Sequence, residues 1–132
     1  MKKLTFLLIL LPVVVFSQEW HMRQIAGQYG VRYETRTETI ASIVYMEQDY
    51  WMFTKNPGLV SDKKTIAALE IDGDDYGTLA LRVLPGGCKL FLPHNIVRAL
   101  LRGNKARIIN RRVGLDLELD LDGLSKAWRK AF

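Results

Sequence analysis

The hydrophobic and polar positions of residues 115–122 alternate without a break. Leucine and an acidic residue take turns, so in a β-strand, whose side-chain period is two, the leucines face one way and the carboxylates the other. After Gly123 the period becomes helical, and the apolar residues lie on one stripe: Leu124, Ala127, Trp128 and Ala131. We predict a half-buried strand followed by a short helix that packs on the same core, because two helical turns are marginal alone in water.

Turn signals divide the middle of the chain into short strands. Ile40–Met46 and Tyr50–Thr54 flank a tight turn and are predicted to form a hairpin. Thr65–Ile71 and Gly77–Val83 flank a turn rich in Asp and Gly at residues 72–75 and are predicted to form a second hairpin. Strands joined by tight turns pair antiparallel, because parallel pairs need long crossovers.

The remaining segments are shorter or less regular. A predicted strand at 88–92 is followed by a predicted helix over His94–Arg102 and by a strand at 105–109. Residues 19–30 suggest a loose helical turn interrupted by glycines. Residues 31–39 are predicted to form an exposed edge strand or an extended lead-in.

Together these elements predict an α+β fold. It is a small, mostly antiparallel β-sheet or sandwich with about seven or eight short strands and two short helices, the second at the C-terminus. Residues 18–132 are expected to form a single domain, since they are enough for one hydrophobic core but not comfortably for two. The 48% hydrophobic content is that of a globular protein.

The first residues are typical of a secretory signal peptide. Lys2 and Lys3 precede an uncharged apolar run at 4–16, and the small residue Ser17 lies where cleavage would occur. The run is shorter than the roughly 20 residues of a spanning helix, which disfavours the alternative of an uncleaved membrane anchor. We expect residues 1–17 to be removed and the mature domain to be periplasmic or secreted.

Charge and cysteine content narrow the class of protein. The chain has a net charge of +5, but two of its lysines belong to the predicted signal peptide. The small positive charge that remains on residues 18–132 gives no reason to expect a nucleic-acid partner. Cys88 is the only cysteine, so the domain is not a disulfide scaffold. Cys88 is either a buried thiol or half of an intermolecular disulfide in a covalent dimer.

Apolar spacing and one glycine in residues 41–132 match a pattern found in small periplasmic proteins. The pattern is carried by these segments: Phe91–Pro93, Ile96, Leu100–Leu101, Lys105–Ile108 and Leu119–Leu124 with Ala127. In this respect the chain resembles type VI secretion accessory proteins often called VasI and, more loosely, the invasion-associated locus B proteins. Such proteins usually carry paired cysteines, whereas this chain has one. The resemblance implies a periplasmic binding or accessory module and offers no catalytic residues to transfer.

Basic residues form the most suggestive surface feature of the sequence: Arg98, Arg102, Lys105, Arg107, Arg111 and Arg112. Arg98 and Arg102 are four residues apart and share a helix face. The set predicts contact with phosphates of a glycan or lipid, or with an acidic partner protein, and an ordinary solvated face is the alternative. Trp51, with its aromatic neighbours, is a candidate binding residue, and core packing is the alternative for it.

The other polar clusters do not predict a chemical site. Asp72–Asp75 lacks the alternating ligands of a calcium loop and is interpreted as a hairpin turn. The carboxylates at 116–122 are either solvated or paired with Arg107 or its neighbours across strands. Neither histidine has a partner at metal-ligand spacing, and no serine or cysteine has the sequence context of a nucleophile. We expect no metal, no cofactor and no enzymatic activity.

Three hypotheses about function follow. The first is a periplasmic, non-enzymatic module that binds another envelope or secretion-system protein through the strands around Trp51 and the helix at 94–102. The second is an envelope protein that recognises the phosphate groups of a glycan or lipid through the six basic residues. The third is an inhibitor of a cationic cell-wall hydrolase, which suits a positively charged protein poorly.

Overall fold

The structure is a computed structural model that describes residues 18–25, 27–55 and 63–132. The strands and helices of that part of the chain are β1 Glu19–Ile25, β2 Gln28–Glu34, β3 Thr39–Met46, β4 Asp49–Lys55, β5 Lys63–Ile71, β6 Asp74–Leu84, β7 Gly87–Leu92, α1 His94–Arg102, β8 Lys105–Asn110, β9 Leu115–Asp120 and α2 Leu124–Ala131. A short 3₁₀ helix, Arg111–Val113, joins β8 to β9. The predicted signal peptide lies outside the described residues.

All of these strands belong to one antiparallel sheet in the order β1-β2-β3-β4-β7-β6-β5-β8-β9. The predicted α+β fold, mostly antiparallel with its second helix at the C-terminus, is therefore confirmed. Of the two arrangements predicted for the strands, the protein adopts one continuous sheet. Both central hairpins form as expected, β3 with β4 and β5 with β6.

The core lies on one face of the sheet, and the opposite face is called the outer face below. Apolar side chains from every strand and from both helices form a single buried cluster. Ile43, Met52, Leu90 and Ile108 are each 0% exposed. Because strand side chains alternate between the two faces, the residues next to these in sequence point away from the core.

The sheet curls until side chains of its first two strands contact its last strand. The Trp20 indole N–H donates a hydrogen bond to the backbone oxygen of Asp120 at 2.7 Å, and the Asp120 N–H donates one to the Tyr33 hydroxyl at 3.3 Å. The Trp20 and Tyr33 rings lie 4.9 Å apart, and both side chains are buried. We call this contact between β1, β2 and β9 the seam. It covers part of the edge of β9, whose backbone groups have no strand partner on that side.

The alternating segment and its helix fold as predicted, with one difference in length. β9 ends at Asp120 rather than Asp122, since the Asp120 carboxylate accepts the N–H of Asp122 and starts a turn. Gly123 continues that turn with a φ of 83°, a left-handed conformation that glycine adopts readily. Helix α2 then packs against β1 and β2 through Leu124 and Ala127.

The interpretation of the N-terminal segment was wrong. Residues 19–25 form β1 and residues 28–30 begin β2, rather than a helical turn, because Trp20 and Met22 alternate with polar residues and Gly27 has the positive φ that a tight turn requires. β2 is also not an exposed edge. Val31 and Tyr33 are 0% and 2% exposed, because β1 pairs outside β2 and takes the edge position.

Candidate functional site

The outer face carries a row of basic and aromatic side chains across six neighbouring strands. Cross-strand pairing places these residues side by side in the order Arg32, Ser42, Phe53, Lys89, Arg82 and Lys64. We call this set the basic row. At about 4.8 Å per strand it is roughly 24 Å long. It includes four basic residues and no acidic one.

A second row, the aromatic row, runs beside the basic row on the same face. Pairing places Val44 beside Trp51 and Trp51 beside Phe91. The rings of Trp51 and Phe91 lie 5.3 Å apart. The sequence offered two interpretations of Trp51, a binding residue or a core residue. Trp51 is half-buried: it packs against neighbours on the outer face and remains partly exposed to solvent.

Contacts on several sides hold the Trp51 side chain in place. Its indole N–H donates a hydrogen bond to the backbone oxygen of Met46 at 3.3 Å, and the Lys89 Nζ lies 4.2 Å from the ring centroid. A cation over an indole ring is stabilised by the quadrupole of the ring. Because the tryptophan is already ordered, a partner that contacts it would order few further torsions.

The six basic residues predicted from the sequence do not form one patch. Arg98 and Arg102 lie on α1, and Lys105 begins β8 shortly after it. Arg111 and Arg112 follow the opposite end of β8. That strand spans roughly 17–20 Å at about 3.3 Å per residue. The two ends therefore cannot bind one small ligand together.

Arg107, in the middle of β8, is engaged by the acidic face of β9. Its guanidinium donates to both carboxylate oxygens of Asp116, at 3.1 and 3.0 Å, and Glu118 lies directly across from it. The hydrogen bond from Arg107 lowers the pKa of Asp116, and the same bond raises the pKa of Arg107. Of the two interpretations of these acids, the alternative of cross-strand pairing holds at Arg107, which leaves that residue less available to a ligand.

Arg98 and Arg102 line a hollow between α1 and the start of β6. The hollow has a volume of about 480 Å³, and its wall includes Tyr76, Asn95 and Asp74. Both arginines are exposed, and among the described residues neither guanidinium has an ion pair or hydrogen bond. In this hollow the fold brings two residues of the predicted basic set into one concave site.

A larger concavity of about 540 Å³ lies beside the seam, between β2, β8 and β9. Its wall contains Lys105 and Arg107 together with Glu70, Glu118 and Asp120. The charges are mixed, and Arg107 is already paired. We therefore propose no ligand for this concavity.

The Asp-rich turn between β5 and β6 has a structural role. The Asp72 carboxylate accepts backbone N–H groups from Asn104 and Lys105, at distances of 2.9–3.2 Å, and fixes the turn to the loop between α1 and β8. The Asp75 carboxylate accepts the N–H of Gly77 at 2.8 Å. Among the described residues no group of three or more His, Cys, Asp or Glu side chains is arranged to hold a metal ion.

Cys88 lies in the core, 1% exposed, as in the first of the two interpretations of this residue. Burial raises the pKa of its thiol, which therefore stays protonated and unreactive at neutral pH. Thr54 is its cross-strand neighbour, and the buried Thr54 hydroxyl has no hydrogen-bond partner among the described residues.

Sequence reasoning found Trp51 but not the residues around it. Lys89 and Phe91 lie on β7, which is distant from β4 in sequence, and pairing alone brings them beside Trp51. Arg82 and Lys64 extend the basic row on the next two strands. One signal was present. Within each strand these residues alternate with positions that are now buried, so the outward-facing set could have been listed, although its order across the sheet could not.

Comparison with known proteins adds no family to this description. Among the described residues no helix has the length and apolar character needed to cross a membrane. Neither the models of protein families nor the curated proteins nor the solved structures contain a match to this chain.

Proposed function

We propose that the protein is a non-catalytic binding module that engages an acidic surface or acidic extended segment of another protein through the outer face of its sheet. The observation that carries the proposal is the adjacency of the aromatic row and the basic row. Aromatic residues and arginine are enriched in binding hot spots, and the rim around such residues is polar.

The two rows would contribute in different ways. Trp51 and Phe91 offer apolar area whose burial drives association, and Trp51 is held in place before the partner arrives. The basic row would steer an acidic partner into position, since complementary charge raises the association rate and selects among partners. Because those charges are solvent-accessible, their contribution should weaken as salt is added.

The export predicted from residues 1–17 would bring the protein to a partner outside the cytoplasm. We propose that it is another protein of the bacterial envelope, and the resemblance to type VI secretion accessory proteins supports a component of a secretion system. The alternative of a hydrolase inhibitor would require the acidic face of β9, where Arg107 already neutralises Asp116. We therefore favour the outer face.

The test is affinity capture from an envelope extract, with matched variants of the bait. The wild-type protein should retain a discrete acidic protein, and Trp51→Ala and Lys89→Glu should each lose it. Tyr29→Ala is the control, because Tyr29 is an exposed aromatic residue, 57% accessible, outside both rows. The captured protein, once purified, should bind the wild type and the control equally.

Two outcomes would count against the proposal. If Trp51→Ala retains the partner as well as the control does, the outer face is not the binding surface. If the captured protein is basic, or if its binding strengthens with added salt, the charge argument is wrong.

A further inference from the structure

The hollow formed by Arg98 and Arg102 is separate from the outer face and has its own chemistry. We propose that it binds the phosphate group of a phosphorylated glycan. Among the described residues these two arginines are exposed, share one helix face and have no ion pair. Guanidinium groups bind phosphate through paired, charge-assisted hydrogen bonds, and two of them one helical turn apart can bind a single phosphate together.

Other residues that line the hollow suit the sugar rather than the phosphate. Tyr76, 40% exposed, presents an aromatic ring of the kind on which the apolar face of a sugar stacks. The Asn95 amide can donate to and accept from hydroxyl groups, and the Asp74 carboxylate accepts from them. A volume of about 480 Å³ falls within the range of ordinary ligand pockets and leaves room for a monosaccharide phosphate.

Two carboxylates share the hollow with the two arginines. The Asp72 carboxylate accepts the backbone N–H groups of Asn104 and Lys105 and is held against the loop between α1 and β8. The Asp74 carboxylate keeps the capacity to contact sugar hydroxyls. The attraction for phosphate therefore comes from the paired guanidinium donors of Arg98 and Arg102 and not from a net positive charge of the hollow.

The floor of the hollow is rigid. The Gly103 N–H donates to the Ala99 oxygen and closes α1. A Cβ atom at Gly103 would lie 2.5 Å from a methyl carbon of Ile71 and 3.2 Å from one of Leu121, so the chain packs tightly there. The Asp72 contacts fix the neighbouring turn. A site held by rigid elements binds its ligand with little reorganisation.

Isothermal titration calorimetry with glucose 6-phosphate tests the proposal. The double variant Arg98→Ala/Arg102→Ala should lower the affinity by about tenfold or more, since it removes the charged donors. The matched control is Arg111→Ala/Arg112→Ala, which removes the same charge at the other end of β8 and should change the affinity by less than about twofold. Arg98→Lys/Arg102→Lys keeps the charge but not the paired geometry and should fall between the two. Circular dichroism and the thermal midpoint should show that each variant remains folded.

Further ligands identify the source of the phosphate. Glucose should bind much more weakly than glucose 6-phosphate, and inorganic phosphate should bind with intermediate affinity. Binding to phosphatidylcholine vesicles that contain phosphatidic acid, without binding to glucose 6-phosphate, would overturn the glycan in favour of a lipid. Equal losses in the two alanine double variants, or no binding by the wild type, would overturn the site itself.

Discussion

The hydrogen bonds at the seam offer a direct test of the curled sheet. In Tyr33→Phe the ring remains in the core and only the hydroxyl is lost. That hydroxyl accepts the N–H of Asp120 at 3.3 Å and donates to the Gln18 side chain at 2.9 Å. The substitution therefore removes a contact between strands at opposite ends of the sheet order without opening a cavity.

The size of the effect follows from the exposure of the two partners. A neutral hydrogen bond contributes about 0.5–1.5 kcal/mol, and a buried donor left without a partner costs about 1–3 kcal/mol. Asp120 and Gln18 are both exposed, so water can replace part of what is lost. We expect Tyr33→Phe to lower the free energy of unfolding by about 1–2 kcal/mol. Trp20→Phe removes the shorter 2.7 Å bond and part of a buried ring, and should cost about 2–3 kcal/mol.

Urea unfolding followed by circular dichroism measures both changes. The control is Tyr29→Phe, because Tyr29 is exposed and its hydroxyl has no hydrogen bond to the described residues. This variant should stay within about 0.5 kcal/mol of the wild type. The double variant at Trp20 and Tyr33 should not be additive, because both side chains bond the peptide groups of Asp120.

The pH dependence of the stability tests the role of Tyr33 independently. Burial raises the pKa of Tyr33, so above pH ~10 the unfolded chain releases this proton before the folded protein does. Stability should therefore decline as the pH rises above that value, and Tyr33→Phe should lack this part of the decline. If Tyr33→Phe is as stable as Tyr29→Phe and has the wild-type pH profile, the side chains of β1 and β2 do not hold β9.

Three further predictions concern other contacts. Cys88 should react with a thiol reagent far more slowly in the native protein than in urea, because it is buried, and a reductant-sensitive dimer on a non-reducing gel would instead support the intermolecular disulfide. Since Arg107 lowers the pKa of Asp116, the stability that this pair contributes is present above the ordinary carboxylate pKa of about 3.9 and is lost as the pH falls through the lowered value. The difference in unfolding free energy between the wild type and Arg107→Gln should accordingly shrink in acid, and a constant difference would contradict the pairing. Asp72→Ala should cost about 2–3 kcal/mol in urea unfolding, since it removes the acceptor of two backbone N–H groups and places alanine at a φ of 52°, whereas Asp74→Ala should have little effect.

The sequence alone was sufficient to predict those strands and helices whose pattern of apolar residues is long and regular. Leucine alternation before Gly123 and the helical stripe after it predicted β9 and α2, because both patterns are local consequences of backbone geometry. The two central hairpins were predictable for the same reason, from turn residues between apolar runs. Residues 19–30 were not, since two glycines and a short alternation are compatible with either structure until β1 finds its place beside β2.

Only the tertiary structure decided which surface residues act together. Cross-strand pairing brings Phe91 and Lys89 beside Trp51, and nothing local to β4 specifies that neighbourhood. The extended strand β8 likewise separates Lys105 from Arg111, although the two are close in sequence. A strand carries the chain about 3.3 Å per residue while a neighbouring strand lies within 5 Å. Distance along the chain therefore says little about distance across a sheet, and the candidate sites became visible only once the strand order was known.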